Sequence, residues 1–178
     1  MRIQFMSDLH MEFYDNSRYL KAHEFEAKGD VLVLAGDTFY LRDIITPQKK
    51  FWNWASQNFR QVLMVPGNHE FYNNGDVTER GDSWQWLFRP NVGYYYNKVV
   101  HIDDIDFILT TLWSMIPVQD MYHVQQGMND FRQIMYEGRR FTPEDFNLEH
   151  EKCLTFLKQA VKESTAKHIA VVTHHLPT

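Results

Sequence analysis

The chain has a single cysteine, Cys153, among its 178 residues. With no second thiol there is no internal disulfide and no metal site built from several thiolates, which fits a reducing compartment. Cys153 itself reads as a small apolar residue on the buried face of a helix. No apolar run approaches the roughly 20 residues needed to cross a bilayer. Asp8 and His10 arrive before any stretch long enough for the core of an export signal, so a cytoplasmic location is the expectation. Positive charge is not in excess either: 18 Lys and Arg stand against 23 Asp and Glu, a net of −5. No global field therefore draws the protein to nucleic acid or to an anionic membrane, while a local basic patch for nucleic acid is left open. Repeats, low-complexity tracts and long linkers are missing too, and the length suits one domain, residues 1–178. Aromatics, by contrast, are plentiful, with 13 Phe, 9 Tyr and 5 Trp, so a packed core is expected rather than disorder.

Short runs of β-branched and large apolar residues predict buried strands at Ile3 to Met6, Val31 to Ala35 and Val62 to Val65. Between the last two, Phe51, Trp52, Trp54, Ala55 and Phe59 form an apolar stripe at helical spacing, which predicts a helix over Pro47 to Phe59. A strand–helix–strand crossover of this kind implies parallel strands, with ligand sites gathered at their C-terminal ends. Val99 to Ile102 and Ile105 to Thr111 flank Asp103-Asp104 as a hairpin that begins a second sheet. Thr142 as N-cap, Pro143 at the first helical position and Asp145 behind it open a helix whose apolar face carries Leu154, Leu157 and Val161. His168 to Val172 is a further buried strand.

Each of four predicted strand ends carries polar residues of one kind: Asp8 and His10, then Asp37, then Asn68 and His69, then His174. The two-residue spacing of Asp8 and His10 lets a carboxylate and an imidazole leave a strand toward the same side. Gly36 and Gly67 stand just before Asp37 and Asn68, where the chain must turn sharply at the sheet edge. Oxygen and nitrogen donors without thiolate suit Mn, Fe or Zn, and the histidines disfavour calcium. A carboxylate such as Asp37 can bridge two cations, and such a pair can hold a hydroxide for in-line attack on phosphorus.

Asp8-Leu9-His10, Gly36-Asp37, Gly67-Asn68-His69-Glu70 and Thr173-His174-His175 together resemble, in order and spacing, the successive motifs of the calcineurin-like metallophosphoesterases. The resemblance runs from the first strand to the end of the chain. It implies an α/β sandwich of two mixed sheets packed face to face with helices outside, and metal-dependent hydrolysis of a phosphoester, chiefly a diester. It also implies that Asp8 and His10 bind a first metal, that Asp37 bridges, and that Asn68 and His174 bind a second. His69 is then the general acid that protonates the leaving alkoxide. Two divalent cations, manganese first with iron or zinc as alternatives, are the implied cofactors, and a small phosphoester or nucleotide-like molecule is the implied substrate. Glu70 reads as structural, an acceptor for the loop backbone.

The sequence departs from the family's pattern in two places. A final Gly-His-x-His motif, one histidine for each metal, normally lies several tens of residues after Thr173-His174, and the sequence reaches Thr178 without it. The expectation is a domain shortened at its C-terminus, with completion of the site by a partner subunit as the alternative, an incomplete second sheet, three donors per cation, weakened affinity with as few as one of the two metals retained, and an open edge prone to self-association. Secondly, the Asp-Arg pair of the protein Ser/Thr phosphatases is replaced by Thr38-Phe39-Tyr40-Leu41, which disfavours that branch and removes the usual partner of His69, while chain length and compact motif spacing look more like small prokaryotic or phage-borne phosphoesterases. Two other readings stay open: a non-catalytic metal-binding or structural remnant of the fold, and a single-metal hydrolase using Asp8, His10 and Asp37 alone. His23, His101, His123, His150 and His168 fall in no ligand spacing, and His175 faces away from His174 on its strand. Trp113-Ser114 and the segment from Met128 to Arg132 read as packing and capping, and Arg132, Arg139 and Arg140 as a solvated charged face.

Overall fold

A computed structural model describes residues 1–23, 25–43 and 49–177. The chain opens with β1 (Ile3–Met6) and a helix that the sequence pattern does not announce, α1 (Tyr14–Ala22). β2 (Val31–Ala35), α2 (Lys49–Asn58) and β3 (Gln61–Val65) then make the expected crossover unit; the expected helix start at Pro47 lies outside the described residues, as does Thr178. β4 (Trp84–Arg89) and β5 (Val92–Tyr96) form a hairpin that the sequence reading leaves without structure. β6 (Lys98–Ile102) and β7 (Ile105–Thr110) are the predicted second hairpin. Short elements follow: α3 (Met121–Gly127), α4 (Asp130–Gln133), β8 (Met135–Tyr136) and β9 (Arg139–Arg140). The long α5 (Pro143–Glu163) and β10 (His168–Thr173) end the fold.

The first sheet has the order β1-β2-β3-β5-β4, parallel except for β4, and the second has β10-β7-β6, with β10 parallel and β6 antiparallel to β7. Alternation along the strands divides the core in two. Leu32, Leu34, Val62, Met64, Tyr94 and Tyr96 face the helices and pack with Trp52, Ala55, Phe146 and Cys153. Their neighbours Val31, Val33, Leu63, Val65 and Tyr95 face the other way, against Ile102, Phe107, Leu109 and Val172 of the second sheet. Two mixed sheets therefore pack face to face, with α2 and α5 covering the first, as expected for this fold class. Cys153 is fully buried on α5. Full burial of a side chain such as Leu32, Met64 or Phe107 contributes about 1.5–3 kcal/mol.

Because β1, β2 and β3 are parallel, the loops that follow them emerge on one rim. β10, parallel to β7, brings the end of its own strand to the same rim: the amide groups of His174 and His175 both donate to the Thr111 carbonyl, and Thr111 Oγ1 donates to the Pro66 carbonyl at 2.6 Å. β1 and β10 are the edges of their sheets, and Phe5 and Val171 on them are exposed.

Candidate metal centre

Asp8, His10 and Asp37 all adopt left-handed backbone conformations, with φ of 55°, 43° and 51°. Non-glycine residues rarely do so, and three at one rim mark a place where the surrounding structure overrides local preference. The loops are stitched together by backbone bonds, Asp8 N to Gly36 O at 3.1 Å and His10 N to Asp37 O at 2.9 Å. Beneath them lies Glu70, 1% exposed, which accepts from the backbone amides of Asp37, Thr38 and Gly67 and from the Tyr94 hydroxyl at 2.8–2.9 Å. The structural reading of Glu70 stands: one carboxylate ties the second and third motif loops to the floor of the sheet. Burial, aided by the charge on Asp37, pushes its carboxyl up to about 7, against the pull of the backbone donors.

Gly36 has φ of 89°, and a methyl group added there would drive into the His174 ring; one on Gly67 would meet Asp37 Oδ1 and the same ring. The two glycines thus let three motif loops close on one point. There, Asp37 presents its two oxygens to opposite sides. Oδ2 lies 3.6 Å from His10 Nε2, which is itself 3.9 Å from Asp8 Oδ1. Oδ1 lies 3.4 Å from His174 Nε2, which is 3.3 Å from Asn68 Oδ1.

The proton inventory of these atoms is informative. His174 donates from Nδ1 to the Ala35 carbonyl at 2.9 Å, so in the neutral ring Nε2 carries a lone pair. Asn68 donates its amide nitrogen to Asp130 Oδ1 at 2.9 Å, which turns its oxygen toward His174. His10 is likewise held at Nδ1 by Glu12 Oε1 at 3.0 Å, so in the neutral rings Nε2 lone pairs face oxygen lone pairs on either side of Asp37, at separations close to the roughly 3–3.5 Å between two ligands that share one ion about 2.1 Å away. Asp8, His10 and Asp37 can hold a metal ion, and the donor chemistry of the set fits a divalent cation. Burial raises the Asp37 carboxyl above its ordinary value, while the nearby His174, His69 and His10 pull it down. The Asp8 side chain is 57% exposed and opens the rim to solvent.

His69 begins a short turn, with its amide on Asp37 Oδ1 at 3.0 Å and its Nδ1 on Glu12 Oε1 at 2.8 Å. Its ring is stacked on Tyr72, centroids 4.1 Å apart, and lies edge-on to His10 at 4.4 Å. Burial opposes the charged form of His69, but the hydrogen bond to Glu12 and the charges of Asp37, Glu12 and Glu70 outweigh it and raise its pKa. Burial would raise Glu12 as well; its hydrogen bonds from His69 and His10 instead hold it below its ordinary value.

Two residues of the rim escaped the sequence reading. Glu12 replaces the missing Asp as the partner of His69, and it continues the alternation Asp8-x-His10-x-Glu12, the one sequence signal that could have found it. Asp130, 2% exposed, accepts from both Asn68 and the Tyr72 hydroxyl, the latter at 2.6 Å. Its segment, Met128 to Arg132, reads in the sequence as packing and capping, and nothing in its local sequence places it beside Asn68.

The remaining polar candidates lie elsewhere. Arg139 forks onto Asp145, Arg140 reaches Asn74, and Arg132 holds the Gln126 carbonyl. His101 pairs with Asp106, His150 with the Trp113 carbonyl, and His175 packs on Trp113 and Phe146. Burial, with His174 and His150 nearby, lowers His175 to about 4.

The whole chain, residues 1–178, matches the calcineurin-like phosphoesterase family. It is 29% identical over 197 aligned residues to the uncharacterized protein L509 of Acanthamoeba polyphaga mimivirus, covering 99% of this chain and 69% of that protein. Its fold is similar to the crystal structure of phosphopantetheinyl hydrolase (PptH) from Mycobacterium tuberculosis, with a TM-score of 0.60 at 17% identity, over 99% of this chain and 68% of that one. No helix among the described residues is long and apolar enough to cross a membrane. A family match over the full sequence and a fold that assembles the motif residues on one rim lead to one conclusion: the chain belongs to the calcineurin-like phosphoesterases, enzymes of metal-dependent phosphoester hydrolysis.

Proposed function

We propose that the protein is a phosphodiesterase working with two divalent cations, manganese foremost, one held by Asp8, His10 and Asp37 and the other by Asp37, Asn68 and His174. The observation that carries this reading is the geometry on both sides of Asp37: the His10 and His174 rings each have Nδ1 on an acceptor, so that the neutral rings turn their Nε2 lone pairs toward its two oxygens, at 3.6 and 3.4 Å. Without positive charge between them such atoms repel one another. Each cation then has three donors among the described residues. When bound, cations in this arrangement supply positive charge to the phosphoryl oxygens and an activated water.

The protein's own residues account for the rest. His69 holds its Nδ1 proton on Glu12, and its Nε2 has no hydrogen-bond partner among the described residues, so a second proton there is available to a leaving oxygen. The hydrogen bond to Glu12 and the charges of the neighbouring carboxylates favour the protonated ring, against the cost of burial. Tyr72 and His10 clamp the ring between them. The Arg candidates are engaged away from the rim, which leaves the cations as the main recognition element for phosphate and favours a small phosphoester or nucleotide-like substrate over a nucleic acid. The solved structure of similar fold is described as a phosphopantetheinyl hydrolase, which is in keeping with an ester of phosphate as substrate.

The test is hydrolysis of chromogenic phosphodiester and monoester substrates with and without added Mn²⁺, beside elemental analysis and a His69→Ala variant. The proposal expects two equivalents of metal, turnover that follows the metal, and a loss of about 10² to 10⁴ in rate in the variant. One tightly bound equivalent with no dependence on Asn68 or His174 would favour the single-metal reading, and no metal and no turnover would favour the remnant.

A further inference from the structure

We infer that Glu12 is the positioning residue of this centre. One of its carboxylate oxygens holds the Nδ1–H of both His10 and His69, and so turns the Nε2 of each ring outward, His10 to the cation cradle and His69 to the substrate. What His69 then does rests on the function proposed above; the hold itself does not.

Glu12 follows β1 on the way into α1, and its side chain is 3% exposed. Its Oε1 lies 2.8 Å from His69 Nδ1 and 3.0 Å from His10 Nδ1. An ionised carboxylate only accepts, so both ring nitrogens donate, and both neutral rings take the Nδ1–H form, the less common one for a free histidine side chain. The Nε2 of His10 then offers its lone pair toward Asp37 Oδ2 and Asp8 Oδ1, at 3.6 and 3.9 Å.

Packing could not make this choice. Tyr72 at 4.1 Å, the edge-on contact of His10 and His69 at 4.4 Å, and Phe13 at 5.4 Å from His10 and 6.1 Å from His69 all restrict ring tilt. But a half-turn about the Cβ–Cγ axis exchanges nitrogen for carbon at nearly constant shape, and apolar contacts do not distinguish the two states. Only a group that accepts a hydrogen bond at the Nδ1 position does. Because a single oxygen serves both rings, a shift of the carboxylate that suits one disturbs the other, so the cation cradle and the proton-bearing ring share one support. Glu12 Oε2 is buried with no hydrogen-bond partner among the described residues, so Oε1 carries both bonds.

The decisive measurement is long-range proton–nitrogen NMR on metal-free protein labelled with ¹⁵N-histidine, at a pH where the rings are neutral. His10→Asn and His69→Asn variants assign the two signals. The expected result is Nδ1–H for both rings in the wild type, and a change to Nε2–H or a mixture in Glu12→Ala. Mn²⁺ affinity of the same variant should fall by about 10- to 100-fold. If Glu12→Ala does not fold, Glu12→Met, which keeps the length of the side chain and offers no oxygen acceptor, is expected to release both rings, and the wild-type spectrum needs no variant at all. Nε2–H in both wild-type rings would overturn the inference, as would unchanged forms and affinity in a folded variant, or metal binding directly at Glu12 and the two Nδ1 atoms. A wild type that hydrolyses no phosphoester would defeat the proposed function while leaving this result readable. If both hold, the Glu12→Ala loss in kcat should be larger for alkyl than for nitrophenyl leaving groups, since only the former need the proton.

Discussion

Asp37 and Asp145 are both buried aspartates, 4% and 6% exposed, and they do opposite things. Asp145 sits in the first turn of α5, where Arg139 forks onto it at 2.6 and 2.9 Å and Thr142 donates from both backbone and hydroxyl in a capping box. Burial alone would raise its carboxyl, but these donors hold it below its ordinary value. Asp37 sits at φ 51°, beside the buried Glu70, with one donor, the His69 amide, and with two imidazole Nε2 atoms that in the neutral rings turn lone pairs toward it, and burial raises its carboxyl. Where every acceptor meets a donor, burial of a carboxylate supports the fold. Where acceptors meet acceptors on a left-handed backbone, the fold is holding an arrangement that serves something else.

The sharpest way to break this contrast is Asp37→Asn. Hydrolysis should fall by at least about 10³-fold, while the thermal midpoint holds or rises, because one of two neighbouring buried negative charges is gone. An active but less stable variant would put Asp37 in the same class as Asp145. Metal addition should separate the two next: Mn²⁺ at about 100 times its dissociation constant should stabilise the wild type by about 2.7 kcal/mol, read as a thermal shift. Asp145→Ala should keep that shift, and Asp37→Asn should lose it.

Asp145→Ala should itself cost about 1–2 kcal/mol in denaturant unfolding and leave kcat and KM unchanged. Its pH dependence has a definite sign. The folded-state pKa of Asp145 lies below the unfolded value of about 3.9, so the unfolded chain binds the proton more readily. The stabilisation is therefore complete above that value and disappears as pH falls through the folded pKa. Unfolding free energies of wild type and Asp145→Asn should differ at neutral pH and converge in acid. The smallest effect belongs to Arg140, whose exposed bond to Asn74 joins neither carboxylate. Arg140→Ala should change stability by less than about 0.5 kcal/mol and activity not at all.

The elements legible in the sequence are those whose signal is local. The runs at Val31 and Val62 became buried strands, those at Ile3 and His168 became strands that are largely exposed or half-buried because they lie at the edges of their sheets, and Thr142-Pro143 with Asp145 became the capped start of α5. The β4–β5 hairpin, with Pro90-Asn91 between two aromatic runs, was missed because β5 is buried on both faces and shows no alternation. The helix α1 was missed because it has no buried residue, hence no apolar stripe to read.

The sequence by itself determined which residue types end each strand of the rim, because a parallel sheet needs only order and spacing to deliver Asp8, His10, Asp37, Asn68 and His69 to one side, while His174 joins them from β10 through the packing of the second sheet on the first. Only the tertiary structure decided how those groups are protonated and aimed. The partners that do this lie far along the chain or carry no motif: Glu12 for His69, Asp130 for Asn68, the Ala35 carbonyl for His174. A hydrogen bond of 2.8 Å between residues 57 positions apart depends on how the loops fold back over the sheet, and no local pattern of side chains encodes it.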